Sequence, residues 1–201
     1  MIIDLFPLSI YKGTLTPSDK QDAEMYNLLM EKFSESEDGV WSGESGKTTG
    51  SNGLLLHYNK QFHWLFNSLA DHVISYWNQL GYADFAVTLR DSWANLHYAK
   101  DTTAEHSHSD GYCGNTHISG VYYLRKPSQE GHIRMCDPMD YVKRLTPMKE
   151  MHGIETISQE VECQQYDFIL FPSWARHRVP SFTVNEERIA ISFNYIGYEK
   201  I

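Results

Sequence analysis

The sequence predicts an α+β protein whose all-β part is a two-sheet jelly roll or barrel, supported by N-terminal helices. Two observations indicate this class. Apolar residues recur with helical spacing in two early segments, whereas short runs of β-branched and aromatic residues, separated by turns, fill the rest of the chain. The 201 residues suit one domain. We therefore expect a single domain over 1–201, with 1–83 as its supporting part and 84–201 as its jelly-roll core.

The supporting part is expected to begin with an edge strand and to continue with a helix, a loop and a second helix. Ser18 is a suitable N-cap for the first helix, and Gln21 completes a capping box. The second helix has a broad apolar face for packing on a sheet, and Gly81 is a natural stop for it. These elements are expected at 5–15, 18–33, 34–53 and 60–80.

The core is expected to consist of short strands, because the helical spacing of apolar residues disappears after residue 84. The segment "HISGVYYLRK" is typical of them, since it is rich in β-branched and aromatic residues. Two helices followed by about eight strands match a jelly roll better than a parallel sheet, in which helices and strands would alternate. The strands are expected within 85–99, 117–126, 131–138, 155–163, 166–174 and 188–198.

Composition and charge exclude several classes of protein. The net charge of −9 argues against nucleic acid as a partner, because phosphate binding requires a basic surface. Neither a signal peptide nor an apolar stretch long enough to span a membrane is visible. Three cysteines without CxxC spacing fit a reducing compartment. We therefore expect a cytoplasmic protein.

The stretch "AEHSHSDGY" (residues 104–112) alternates His106, His108 and Asp110, and alternate residues of a strand point to one face. A mononuclear non-haem iron(II) site takes two histidines and one carboxylate on one face of the metal and leaves the other positions open. His108 and Asp110 supply such a pair. His177, directly after the apolar run "FILFPSW", is the best candidate for the distal ligand.

An anion-binding residue is expected beside this site. Arg188 lies eleven residues after His177 at the start of a strand, and Ser192 shares its face of that strand. A guanidinium binds a carboxylate through two parallel hydrogen bonds, each worth on the order of 1.5–3 kcal/mol when charged. The distal carboxylate of 2-oxoglutarate fits Arg188, while the keto-acid end of the same molecule would chelate the metal.

With these residues in place, the chain resembles the Fe(II)/2-oxoglutarate-dependent dioxygenases. It is similar to their prolyl-hydroxylase-like group, and most of all to a family of bacterial and phage 2OG-Fe(II) oxygenases. The resemblance implies a double-stranded β-helix, which is a cupin-like jelly roll. The matching stretches cover most of residues 93–196 and are "HYAKDTTAEHSHSD", "SGVYYLRKP", "GHIRMCDP", "YDFILFPSWARHRV" and "ERIAISFN".

The resemblance also assigns roles around the cosubstrate. Tyr98 stands ten residues before His108, where prolyl-hydroxylase-like enzymes have a tyrosine lining the cosubstrate pocket. The second tyrosine of the "VYYL" strand, Tyr123, corresponds to the partner of the arginine on the distal carboxylate. Ser192 matches a hydroxyl residue that faces the same pocket.

One feature of the resemblance leaves the ligand set open. The most similar family often has a His-x-His pattern at this strand, which would make His106, His108 and His177 a three-histidine site. The spacing to the tyrosine and the charge of the metal favour Asp110 instead, because a carboxylate lowers the net charge of an iron(II) centre. His106 would then be a residue at the rim that orients a ligand.

The function that follows is a hydroxylase using Fe(II), 2-oxoglutarate and O₂, with decarboxylation of 2-oxoglutarate to succinate and CO₂. Its substrate is not identified, and the resemblance to prolyl hydroxylases suggests a protein or peptide. The alternative is a non-catalytic cupin-like protein that binds a metal or a small acid. Such a protein would keep the histidines but would not need an arginine placed for a dicarboxylate.

Overall fold

Two antiparallel sheets face each other, and two helices cover the outer face of the larger sheet. This arrangement is seen in a computed structural model that describes residues 8–36, 45–50, 53–109, 116–143 and 158–200. The apolar core therefore has two parts. One part lies between the helices and the larger sheet, and the other lies between the sheets. The double-stranded β-helix expected from the sequence is confirmed.

The two helices start and end close to the positions predicted from the sequence. Helix α1 (Asp19–Ser34) is capped by Ser18 in the capping box expected with Gln21. Helix α2 (His63–Gln79) follows 3₁₀ turns and stops before Gly81, whose φ of +70° suits a residue without a side chain. In the described ranges, no helix is long and apolar enough to cross a membrane.

Ten strands form the sheets within the described part of the chain, eight of them from residue 86 onward as predicted. The strands are β1 (Tyr11–Thr14), β2 (Lys47–Thr48), β3 (Ala86–His97), β4 (Thr103–His106), β5 (Ile118–Arg125), β6 (Ile133–Cys136), β7 (Ser158–Val161), β8 (Asp167–Pro172), β9 (His177–Val179) and β10 (Arg188–Tyr198). The larger sheet has the order β1-β8-β5-β10-β3-β2, and the smaller has the order β4-β9-β6-β7. Strand β2 falls in a segment predicted to be a loop, and it adds only two residues to the edge of β3. The short helix α3 (Asp140–Lys143) follows β6.

The central strand β10 shows how one sheet serves both a core and a site. Ile189, Ile191 and Phe193 belong to the core beneath the helices. Residues of the other parity, beginning with Arg188 and Ser192, face the smaller sheet. Period-two alternation therefore places apolar side chains toward the helices and polar side chains between the sheets.

Gly120 of β5 makes a close approach possible between the sheet and its core. It pairs with Phe193 of β10, and a Cβ at this position would lie 2.6 Å from Phe193 Cζ and 2.9 Å from the backbone oxygen of Ile169. The phenylalanine ring thus occupies the space that any other side chain at position 120 would require.

We predict that Gly120→Ala lowers the free energy of unfolding by about 1–3 kcal/mol, because the added methyl group overpacks this contact. At roughly 2–4 °C per kcal/mol for a chain of this size, thermal denaturation will show the loss as a lower Tm. Gly50→Ala is the matched control, since its Cβ would meet nothing closer than 3.4 Å. Equal Tm values for the two variants would contradict the prediction.

Candidate active site

Three histidines converge between the sheets. His106 ends β4 and His177 begins β9, and these two residues are direct partners in the antiparallel pair. His108 lies two residues beyond the end of β4, whereas the sequence predicted that it lies on the strand. It is held by its backbone, because its N–H donates to the oxygen of Ser173 at 2.8 Å and its own oxygen accepts from the Thr116 hydroxyl. One nitrogen of each histidine lies within 4.8 Å of the others.

Backbone carbonyls determine which nitrogen of two histidines carries the proton. His106 Nδ1 lies 2.8 Å from the oxygen of Ala104, and His177 Nδ1 lies 2.9 Å from the oxygen of Ala175. A carbonyl oxygen can only accept, so both Nδ1 atoms must carry hydrogen. Both Nε2 atoms are consequently unprotonated in the neutral rings and available as metal ligands.

The third histidine also directs its Nδ1 to an oxygen, but this oxygen belongs to a side chain. His108 Nδ1 lies 2.8 Å from Asn194 Oδ1, which leaves its Nε2 bare as well. The Nε2 atoms of His106 and His108 are only 3.2 Å apart. With both Nδ1 atoms donating, the two lone pairs would face each other, and a cation bound between them would make this contact favourable.

The geometry and charge of the cluster fit a divalent metal. Nitrogens bound side by side at roughly 2.1 Å from one metal would be about 3 Å apart, close to the observed spacing. Burial, together with neighbouring His106 and His108, lowers the pKa of His177 well below its usual value. This histidine is therefore neutral, as a metal ligand must be. Trp93 stacks on His108 with ring centroids 5.7 Å apart and shields that ligand from solvent.

The structure changes the expected position of one candidate ligand and does not describe another. His106, predicted to be a rim residue, lies within the cluster and contributes a convergent nitrogen. Asp110, predicted to be the carboxylate ligand, lies outside the described residues. The residues brought together are those of the three-histidine alternative.

A cationic pocket lies on the inward face of β10. Arg188 is only 2% exposed. Its Nε donates to the oxygen of Gly131 at 2.7 Å, and its Nη1 donates to His97 Nδ1 at 3.3 Å. Among the described residues, no carboxylate forms an ion pair with this guanidinium. A buried charge without a counter-ion is costly, so the pocket is complementary to an anion.

Tyr123 completes this pocket. The guanidinium carbon of Arg188 lies 5.2 Å from the centroid of its ring. Its hydroxyl is buried beside the Arg188 guanidinium, and its hydrogen has no acceptor among the described residues. Burial raises the pKa of this phenol, so the group is a neutral donor at physiological pH. An orphaned donor beside an uncompensated cation is the arrangement expected for an absent carboxylate.

Two further residues shape the charge of the pocket, and neither was singled out from the sequence. Burial, with a smaller contribution from Arg188, lowers the pKa of His97 to about 3, so this ring stays neutral and accepts from the guanidinium. Burial and Arg188 also lower the pKa of Lys126 to about 8. The Lys126 amine donates to the oxygens of Pro127 and Glu130 and so closes the loop that ends at Gly131.

Of the other residues assigned by resemblance, one lies at the pocket and one does not. Ser192 is buried on the same face of β10 as Arg188. Tyr98 is 44% exposed, so its side chain does not lie in the buried pocket. The reason is parity: β3 ends at His97, which faces the pocket, and the next residue points the other way. The structure therefore does not bring Tyr98 to the cosubstrate pocket.

We predict that Tyr123→Phe leaves the ligand-free protein as stable as before or raises its free energy of unfolding by about 1 kcal/mol, because an unsatisfied buried hydroxyl is removed. Tyr122→Phe is the matched control. That neighbouring tyrosine is equally buried, and its hydroxyl donates to the oxygen of Leu15 at 3.0 Å. Its loss should lower stability by about 1 kcal/mol. Thermal denaturation of both variants without ligand is the measurement, and equal losses of Tm would show that the Tyr123 hydroxyl has a partner.

Comparisons with solved structures support the fold. A prolyl-4-hydroxylase from Pseudomonas putida is 14% identical with a TM-score of 0.55, and the match covers 96% of this chain and 94% of that one. A prolyl hydroxylase from Trichoplax adhaerens, solved with a peptide fragment of hypoxia-inducible factor, is 14% identical with a TM-score of 0.62 over 93% and 83%. HygX from Streptomyces hygroscopicus, solved with nickel and 2-oxoglutarate, is 11% identical with a TM-score of 0.57 over 94% and 81%.

The sequence comparison identifies the family. No curated protein matches the chain. The family described as "Putative 2OG-Fe(II) oxygenase" matches residues 91–194, which include the three histidines and Arg188 and amount to more than half of the chain. The chain belongs to the 2OG-Fe(II) oxygenase family, whose members are enzymes that use iron and 2-oxoglutarate.

Proposed function

We propose that this protein is a hydroxylase in which His106, His108 and His177 hold Fe(II) while Arg188 and Tyr123 anchor 2-oxoglutarate. One observation supports this most directly. Three imidazole nitrogens converge between the sheets, and the buried guanidinium on the inward face of β10 has no carboxylate partner among the described residues. A cation and a carboxylate together would satisfy both groups, and a chelating keto acid brings the two requirements together in one complex.

A three-histidine set has consequences for charge. Three neutral imidazoles leave the full charge of the metal uncompensated, whereas a set containing Asp110 would remove one unit. The carboxylate at the keto-acid end of 2-oxoglutarate would supply the missing anionic ligand when it chelates the metal. Cosubstrate binding is thus favoured by the metal at one end of the molecule and by Arg188 at the other.

When bound, iron and 2-oxoglutarate supply the oxidation: 2-oxoglutarate loses CO₂ to give succinate, and O₂ delivers one atom to succinate and one to a C–H bond of the substrate. The side chains of this protein position these groups. Arg188 and the Tyr123 hydroxyl fix the distal carboxylate, while His97 keeps the guanidinium in place. Trp93 covers one face of His108 and limits the access of water.

We predict that Arg188→Gln raises KM for 2-oxoglutarate about 30- to 150-fold, which corresponds to the loss of about 2–3 kcal/mol of charged hydrogen bonding. The measurement is Fe(II)-dependent formation of succinate, with calorimetric binding of 2-oxoglutarate to Mn(II)-loaded protein as a second readout. Arg125→Gln is the matched control, because Arg125 ends β5 and pairs with Asp22 of α1 at 2.6 Å. A wild-type protein that neither binds 2-oxoglutarate nor decarboxylates it would refute the proposal.

The ligand set can be tested by comparing two substitutions. We predict that His106→Ala weakens Mn(II) binding at least 100-fold, whereas Asp110→Asn changes it less than about threefold, because only the histidine would be a ligand. Metal titration against a competing chelator is the measurement. The reverse ranking would assign Asp110 as the third ligand and leave the function itself intact.

The competing function is a cupin-like protein that binds a metal or small acid without turnover. The burial of Arg188 and Tyr123 in one pocket favours the enzyme, because metal binding alone gives no reason to bury an unpaired cation. Calorimetry with Mn(II), with and without 2-oxoglutarate, separates the two. Formation of succinate with Fe(II) and O₂ completes the test, because a protein that only binds Mn(II) or 2-oxoglutarate would form none.

We extend the proposal to a protein or peptide as the substrate, by analogy with the prolyl hydroxylases that share the fold. An unbiased search for peptides that gain the mass of one oxygen atom, in cells with and without the active enzyme, tests this.

We also propose that the protein acts in the cytoplasm as one domain over 1–201. Cys136 and Cys163 are both free and buried, as expected in a reducing compartment.

A further inference from the structure

The three histidines of the metal cluster are not oriented in the same way. His106 and His177 each donate from Nδ1 to the backbone oxygen two residues earlier in their own segment. These acceptors belong to the main chain and remain under any side-chain substitution. The acceptor for His108 is instead a side chain of β10, Asn194, 86 residues away in sequence.

We infer that Asn194 is a positioning residue for the metal site: its Oδ1 holds His108 in the tautomer that can bind iron. This inference rests on the proposed function, since it concerns the same histidines. Asn194 is itself 1% exposed, so no water competes for its amide. Without this acceptor, the buried His108 Nδ1–H would lose its hydrogen bond to Asn194. Moving the hydrogen to Nε2 would relieve that penalty and remove the lone pair needed by the metal.

The same oxygen of Asn194 has a second donor. Its Oδ1 also accepts from the Ser119 hydroxyl at 2.7 Å, and Ser119 Oγ lies 2.9 Å from Ser173 Oγ. Two groups, the Nδ1–H of His108 and the hydroxyl of Ser119, therefore hold the buried amide of Asn194 in place.

The opposite amide orientation would disable the ligand. An NH₂ group facing His108 would donate to Nδ1 and place the histidine hydrogen on Nε2. That hydrogen would point toward the Nε2 of His106, 3.2 Å away, where the metal must sit. The orientation of one buried amide thus decides whether three nitrogens or two can bind the metal.

The same strand carries the cosubstrate anchor. Arg188, Ser192 and Asn194 lie at even spacing on β10, before the bulge between Asn194 and Tyr195. Even spacing puts all three on the face toward the smaller sheet. Strand β10 therefore contacts both parts of the site, binding the distal carboxylate at one end and orienting a metal ligand six residues later.

The test compares Asn194→Leu with Asn194→Asp. Leucine removes the acceptor at similar volume, whereas aspartate keeps an oxygen in the same place. We expect Asn194→Leu to weaken Co(II) binding about 10- to 100-fold in chelator competition, and Asn194→Asp to restore it to within about threefold of the wild type. The absorption spectrum of bound Co(II) should also change in Asn194→Leu and be recovered in Asn194→Asp, because loss of one nitrogen ligand alters the ligand field.

Controls separate this role from a general effect on folding. Ser92→Ala removes a hydroxyl of β3 that is equally buried but bonded to His57, away from the metal, so it should leave affinity and spectrum unchanged. A folded Asn194→Leu protein with wild-type affinity and spectrum would overturn the inference. If that variant does not fold, Ser119→Ala decides: it should weaken Co(II) binding several-fold, and no change would overturn the inference. The wild type failing to bind Co(II) would overturn the proposed metal site as well, whereas a wild type that binds Co(II) with an unaffected Asn194→Leu variant would leave that site standing.

Discussion

Strand β10 must satisfy two environments at once, and most of the molecule depends on how it does so. Its odd-numbered residues, including Ile189, Ile191 and Phe193, are buried under the helices. Its even-numbered residues include Arg188, which faces the space between the sheets. A slip of one residue in pairing would exchange the two sets, burying the arginine among apolar side chains. The hydrophobic pattern that stabilises the fold therefore also places the polar groups of the site.

The site is electrostatically incomplete without its ligands. Lone pairs of His106 and His108 face each other, the charge of Arg188 lacks a carboxylate among the described residues, and the hydroxyl of Tyr123 lacks a partner there. Each of these features opposes folding, and each is relieved by a cation or a dicarboxylate. The remainder of the fold, with its two apolar cores, must offset them. Such a local departure from favourable pairing is expected where a protein binds something.

Periodicity and local motifs were enough to predict the helices, most strands and the capping box at Ser18. His177 and Arg188 were also singled out from the sequence, because each lies beside a recognisable strand, and the structure places one in the histidine cluster and the other in the cationic pocket. Interactions between residues that are far apart in the sequence were not predicted. Nothing near His108 in the sequence indicates Asn194, since they meet only after β10 has paired. Tyr98 directly follows His97, which faces the pocket, so its side chain points away from the pocket. The ten-residue spacing to His108 does not reveal this parity. Composition does not determine where β4 ends, so the sequence did not show that His108 lies beyond the strand.

The hydroxyl of Tyr123, whose hydrogen has no acceptor in the part of the chain that the structure describes, affects how much of the protein a cell retains. Ligands that bind only the folded state raise its population by mass action, and they do so most effectively where the empty site is least favourable. Unfolded chains are continuously removed by proteases, so a modest change in stability alters steady-state abundance. The quantity of this enzyme should therefore rise and fall with the supply of iron and 2-oxoglutarate, and protein turnover would add a slow response to nutrients to the fast response of catalysis.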